Sequence, residues 1–289
     1  MRAFIFVLVG FICFACNSES KKAEEYQIKD YLEVAKILQN HPSGHFPLVI
    51  NLKAGKKHLI FIGTAHTRDI TQQADSIDYY FNLLQPQVAF NEGGQVPKDQ
   101  HYSSRDEAIR EDAEIGQLKY LCDKQNIAMM NGDLLTAGEF KELFKKHDKE
   151  EVLLYTACER FFNLYKNNWI DTSKGIEKAY QKEFIEYLEN ENVVLSEAEK
   201  EYSYMTKAYK KFFGTDLDVQ QIPTEKHDFL KDAGRLTEIG RSSKTVRDKH
   251  LLKTIDEALS KHDRVFVAFG GAHAIAVGPA LRQMMKKYE

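Results

Sequence analysis

Three short stretches of this 289-residue chain end in residues suited to acid–base or metal chemistry. His58-Leu-Ile-Phe-Ile62 runs into Gly63-Thr64-Ala65-His66, and Val265-Phe-Val-Ala-Phe269 runs into Gly270-Gly271-Ala272-His273. Each reads as strand, then Gly-x-x-His, then helix. The glycine permits a sharp exit from the strand, and the three-residue offset is expected to set the imidazole at a helix start rather than under the sheet. Val88-Ala89-Phe90 runs in the same way into Asn91-Glu92-Gly93-Gly94, which puts a carboxylate at a strand terminus. In open α/β sheets ligands bind outside the carboxyl ends of the strands, so His66, Glu92 and His273 are expected to converge there. Two imidazoles and a carboxylate suit a divalent ion with positions left for water and substrate, and the set does not discriminate Zn, Mn, Fe or Co. Glu92 has the alternative role of general base, with water completing the metal shell. Gly63 and Gly270 are expected to keep the backbone close to whatever is bound.

The elements that must position these groups follow from hydrophobic period. Tyr31–Leu38 has helical spacing and stops before the breaker cluster His41-Pro42-Ser43-Gly44. Pro47–Leu52 and His58–Ile62 read as strands joined by a turn over residues 53–57. A helical stripe of Ile70, Ala74, Ile77, Tyr80, Phe81 and Leu84 ends at Pro86. Gln87–Phe90 is the next strand; an amphipathic helix over about Arg105–Gln125, a short apolar run at Ile127–Met130, the strand Arg264–Phe269 and a helix over about His273–Lys287 complete the pattern. Strands alternating with helices predict an α/β fold with a mixed, mostly parallel sheet flanked by helices. Residues from about 136 to 261 hold no good strand, many Glu and Lys, and aromatic residues at three- and four-residue spacing, the signature of a helical insertion. Its aromatic stripe of Tyr155, Phe161, Phe162, Tyr165 and Trp169 is expected in its core. Glu150-Glu151, residues 197–201 and residues 207–211 are expected on solvated helix faces.

Composition narrows the function classes. Forty Lys and Arg against forty-three Asp and Glu give a formal net charge of -3, so no cationic surplus exists for a nucleic acid backbone. The four cysteines, at 13, 16, 122 and 158, lack zinc-finger or thioredoxin spacing. Cys122 and Cys158 look like helix core positions that could also pair in an oxidising compartment. No His-Glu-x-x-His, Gly-x-x-x-x-Gly-Lys-Ser/Thr or Gly-x-Ser-x-Gly occurs, which removes thermolysin-like, P-loop and serine-hydrolase readings. From Ala3 to Ala15 every residue is apolar, Gly or Cys, too short a run to span about 30 Å of hydrocarbon but suited to a secretory signal. Cys13-Phe14-Ala15-Cys16 is similar to a bacterial lipobox, with Cys13 where Leu is usual. Residues 1–15 are therefore expected to be a signal peptide, Cys16 a lipidated N-terminus, residues 16–25 a tether and residues 26–289 one α/β domain. Asn17 lacks the aspartate linked to inner-membrane retention, so the expected location is the outer membrane, facing the periplasm.

Taken in order, Gly63-Thr-Ala-His66, Glu92, Arg247-Asp248 opening a helix, and residues 265–273 resemble the TraB/GumN/TIKI family, grouped with erythromycin esterases and ChaN-like haem-binding lipoproteins. The resemblance covers residues 47–133 and 240–289. It implies a mixed α/β core with a helical insertion, metal or catalytic roles for His66, Glu92 and His273, and a matching arginine at Arg247. The implied activity is metal-dependent hydrolysis of a peptide or small-molecule ester; haem or metal carriage without turnover is the alternative. The family core also allows a homodimer that closes the pocket. Arg247 is read as a clamp for a substrate carboxylate or oxyanion, or as a structural partner of Glu92. Ala274-Ile275 and Thr67-Arg68-Asp69 differ from the pattern of many relatives. Asp133 is expected to cap the helix before Leu134, with a supporting role at the site as the alternative. His45, His101, His227 and His262 are expected at the surface.

Overall fold

The computed structural model describes residues 26–40, 46–69 and 72–289. The expected signal, the tether with Cys16, and His45 lie outside them. Asp30 caps α1 (Tyr31–Gln39) by accepting the Leu32 N–H at 2.8 Å. Strands β1 (Leu48–Ala54) and β2 (Lys57–Thr64) form an antiparallel hairpin. Its turn is only Gly55-Lys56, tighter than the 53–57 span expected, because Gly55 takes the left-handed φ of 52° that such a turn needs. There follow α2 (Gln72–Leu84), β3 (Val88–Asn91), α3 (Arg105–Gln125) and β4 (Ala128–Asn131). The helical insertion comprises α4 (Thr136–Leu143), α5 (Lys149–Ala157), α6 (Asn163–Lys166), α7 (Ile176–Ala179), α8 (Glu186–Asn190), α9 (Glu197–Lys200) and α10 (Tyr202–Phe213). The long helix α11 (Arg235–Lys261), the strand β5 (Arg264–Gly270) and α12 (Gly271–Met285) close the chain.

The five strands lie in the order β1-β2-β5-β3-β4, and every pairing except β1–β2 is parallel. The expected α/β class with a mixed, mostly parallel sheet therefore holds. Strands covered on both faces read as unbroken apolar runs, and alternate residues divide between the faces. Leu59, Phe61, Val265, Val267 and Phe269 pack on α11 and α12; Ile60, Ile62, Phe266 and Ala268 pack on α2 and α3. Thr64 pairs with Gly270, and Asn91 with Ala268, so the carboxyl ends of β2, β5 and β3 are immediate neighbours.

The insertion has its own core, with Tyr155, Phe161 and Phe162 buried as expected. Trp169 is instead 74% exposed, because the helix ends at Lys166 and Asn168 turns into the left-handed region at φ 54°. Cys122 and Cys158 are buried, free and in different cores, so they do not pair. His227 is buried rather than at the surface, and its Nε2 stands 3.3 Å from Asn163 Nδ2. Helix α11 does not belong wholly to the insertion. Leu236 and Ile239 join the insertion core, whereas Leu251, Leu252, Ile255 and Leu259 lie under the sheet. Arg247-Asp248 consequently stands in the middle of this 27-residue helix rather than opening one.

Candidate active site

Glu92 leaves β3 at the point where Gly93 and Gly94, with φ of 88° and 107°, turn the chain away. Asn91 secures this turn by donating from Nδ2 to the Glu92 and Gly94 carbonyls at 2.9 and 2.8 Å. The Glu92 carboxylate lies beside the end of β5, where Oε2 accepts the Gly270 N–H and Oε1 accepts from an Arg247 terminal nitrogen, both at 2.7 Å. A Cβ on Gly270 would stand 2.7 Å from His66 Nε2 and 3.2 Å from Glu92 Oε2. Gly270 thus opens the space in which the two meet. Gly63 has a different job, since a Cβ there would press on Ala274 Cβ at 2.7 Å; it lets α12 approach β2.

The two imidazoles are held alike. His273 is the third residue of α12, as the Gly-x-x-His offset implies. Its Nδ1 stands 2.6 Å from Asp248 Oδ1, and Tyr31 donates its hydroxyl to Asp248 Oδ2 at 2.8 Å. His66 does not open a helix. It sits in the loop between β2 and α2 with a left-handed φ of 49°, where the Ala65 N–H is pinned to Gln73 Oε1 at 2.8 Å. His66 Nδ1 is 2.5 Å from Glu114 Oε1. With both Nδ1 atoms engaged by carboxylates, the two Nε2 atoms turn to Glu92, at 3.6 Å from Oε2 for His66 and 3.5 Å from Oε1 for His273.

Arg247 takes the structural one of the two roles foreseen for it: it is buried, pairs with Glu92, and grips Asp133 through Nε at 2.7 Å and a terminal nitrogen at 2.5 Å. Asp133 is not the cap of α4, whose N-cap residue Leu135 makes no side-chain bond. It braces Arg247 while its Oδ1 accepts the Leu134 N–H at 2.8 Å. Tyr31 and Glu114 carried no sequence motif. Glu114 is aimed inward by a break in α3, where Asp112 and Ala113 (φ 50°, ψ -136°) leave helical geometry, and Tyr102 and Gln100 bind the Asp112 carboxylate.

Electrostatics follow from this packing. Burial pushes the Glu92 carboxyl upward, but His273, Arg247 and His66 outweigh it and hold the group well below the usual carboxylate range. Burial pushes His273 down, and Asp248 and Glu92 outweigh it, lifting the imidazole to about 9. His66 is raised, Glu114 and Glu92 overcoming burial. Asp133 is lowered because the Arg247 charge exceeds the effect of its burial. Four carboxylates thus surround one guanidinium and two imidazoles, an array that calls for further positive charge as protons or as a cation. The donor types suit a divalent ion, since a carboxylate on Nδ1 is the usual support of a metal-binding histidine. Among the described residues, no group of three His, Cys, Asp or Glu stands at ligand spacing.

The site opens on a cleft of about 480 Å³ that runs from His66 and Glu92 to the insertion, where Glu159, Arg160, Tyr187 and Lys244 line it. His262 is half-buried and His101 exposed. No protein-family model, curated protein or solved structure matches this chain.

Proposed function

We propose that the protein is an exported hydrolase of the TraB/GumN type, acting on a peptide or small-molecule ester carbonyl and anchored to the cell envelope through a lipid on Cys16. One observation carries the reading: two carboxylate-backed imidazoles from opposite ends of the chain present their Nε2 atoms to one buried carboxylate at the mouth of a cleft. Convergent, charge-perturbed groups in a concavity are the usual surroundings of acid–base chemistry.

His66, whose side chain is 53% exposed, faces solvent and is the group able to take a proton from water at Nε2. Glu114 fixes its tautomer, as a carboxylate on the distal nitrogen does for any general base of this kind. His273, buried and raised to about 9, holds a proton at neutral pH and can deliver it to the leaving group. Glu92, ionised between the two, stabilises whichever imidazole carries charge, and Arg247 with the Gly270 N–H keeps it in place. A divalent ion, in the alternative mode, would take the place of these protons at the two Nε2 atoms; His66, His273 and Glu92 would hold it, and it would supply Lewis-acid polarisation of the scissile carbonyl.

The test combines elemental analysis, an absorption spectrum and hydrolysis of peptide and ester panels, on the domain from about Lys21 onward. His66→Ala and His273→Ala are each expected to abolish turnover, and metal content where metal is present. Undiminished turnover in either variant rejects the site. A Soret band after haem titration, lost in the same variants, selects haem carriage instead.

A further inference from the structure

Tyr31 stands on α1, outside the stretches 47–133 and 240–289 that carry the family resemblance, yet it touches the site. It is 1% exposed, and its ring lies edge-on to His273 at 6.2 Å between centroids and edge-on to Phe229 at 5.4 Å. The hydroxyl donates to Asp248 Oδ2 at 2.8 Å, and its oxygen is 3.1 Å from His273 Nδ1. Asp248 is fully buried, and among the described residues its side chain has two hydrogen-bond partners, Tyr31 on Oδ2 and His273 on Oδ1. The carboxylate behind His66 is held differently: Glu114 Oε1 meets the imidazole, but Oε2 is buried without a partner. A carboxylate held by one oxygen can turn about its terminal carbon–carbon bond, whereas one held by both must break a hydrogen bond to do so. The tyrosine therefore gives His273 a support that His66 lacks. Helix α1 is in turn fixed to α12, because the Lys29 N–H donates to the Ala276 carbonyl at 3.0 Å and Val34 packs with Ala276.

We propose that Tyr31 is a positioning residue of the site: its hydroxyl fixes the Asp248 carboxylate and, through it, the rotation of the His273 ring that turns Nε2 to Glu92. The N-terminal helix is thus part of the working site, although among the described residues it lines no part of the cleft. The effect on rate rests on the hydrolytic reading; the effect on geometry does not.

Tyr31→Phe keeps the ring and both edge-on contacts and removes one oxygen, while Val34→Ala loosens α1 by packing alone. Crystal structures, urea midpoints and steady-state kinetics compare the two with wild type. In Tyr31→Phe the Asp248 carboxylate is expected to turn and His273 Nε2 to leave its place beside Glu92 by at least about 0.5 Å, the tolerance of a preorganised site. Its kcat falls about 10–100-fold, as loss of an outer support does, with KM unchanged within about twofold. Val34→Ala lowers the urea midpoint at least as far, yet leaves the ring in place and kcat within about twofold of wild type. A His273 ring that stays in place in Tyr31→Phe overturns the proposal, as does an unchanged kcat in that variant or an equal loss of kcat in Val34→Ala. The two ideas fail separately. A displaced ring in a protein whose wild type turns over no peptide or ester removes the hydrolase reading alone, and wild-type turnover with an unmoved ring in Tyr31→Phe removes the role of Tyr31 alone.

Discussion

Arg160→Met tests whether the helices of the insertion are held to one another by charge. The guanidinium donates to Glu139 Oε2 at 2.9 Å, to Thr136 Oγ1 at 3.0 Å and to the Tyr187 hydroxyl at 2.5 Å. Thr136 and Tyr187 also bond to each other at 2.7 Å, so they stay satisfied when the arginine goes. Glu139 does not, because its side chain is 2% exposed and its remaining side-chain partner is the Ser243 hydroxyl at 2.5 Å. Stranding a buried carboxylate in this way costs about 3–5 kcal/mol. At roughly 2–4 °C per kcal/mol for a chain of this size, the melting temperature falls by about 10 °C. Adding Glu139→Gln removes the orphaned charge and keeps an acceptor for Ser243, so the double variant recovers at least about 2 kcal/mol of the loss. Urea unfolding of wild type, both single variants and the double variant closes the cycle. A double variant no more stable than Arg160→Met would show that the charge pair is incidental and refute the reasoning.

Three further outcomes are expected. Gly270→Ala lowers hydrolysis at least about tenfold, because the new Cβ displaces His66 Nε2 and Glu92 Oε2, whereas Gly63→Ala acts on stability and costs about 1–3 kcal/mol of overpacking; steady-state rates and urea midpoints separate the two, and an active Gly270→Ala contradicts the described close approach. Glu114→Gln lowers turnover about 10–100-fold with the fold intact, since it only loosens the imidazole that it orients, and a rate equal to wild type removes Glu114 from the site. Because burial of His273 is outweighed by Asp248 and Glu92, its folded pKa is lifted from the ordinary imidazole value of 6.5 to about 9. In chelator-treated protein its contribution to stability is then complete below about pH 6.5 and lost as pH rises through about 9; urea midpoints that stay level across that window contradict the assignment.

The strands that frame the site are plain in the sequence because burial on both faces leaves Val265–Phe269 no polar residue to confuse the reading. The two histidines and Glu92 are visible for the same reason, as polar residues placed where an apolar run stops. What supports them is hidden. Glu114 and Asp248 lie in helices rich in Glu, Asp and Lys, where a carboxylate that faces a histidine looks like one that faces water. Only the break at Asp112-Ala113 turns Glu114 inward, and neither Gly nor Pro marks those two positions. Arg247 and Asp248 are adjacent in sequence yet serve different partners, Glu92 with Asp133 and His273 with Tyr31, a division that no helical period predicts. His227 is misleading in the opposite sense: its sequence neighbours are polar, while the groups that bury it come from elsewhere in the fold.

Helix α11 spans both cores as one 27-residue rod, with Arg247 and Asp248 between its two buried stretches. This fixes where the molecule can be recombined. A graft that replaces residues 136–234 and keeps Arg235–Lys261 would change the roof over the cleft without moving the pair that anchors Glu92 and His273. A crossover placed at Lys261, the apparent end of the insertion, would carry both anchors away with the roof. Diversification of what the cleft accepts is therefore separable from the acid–base machinery at the start of α11, and at no point beyond Arg247.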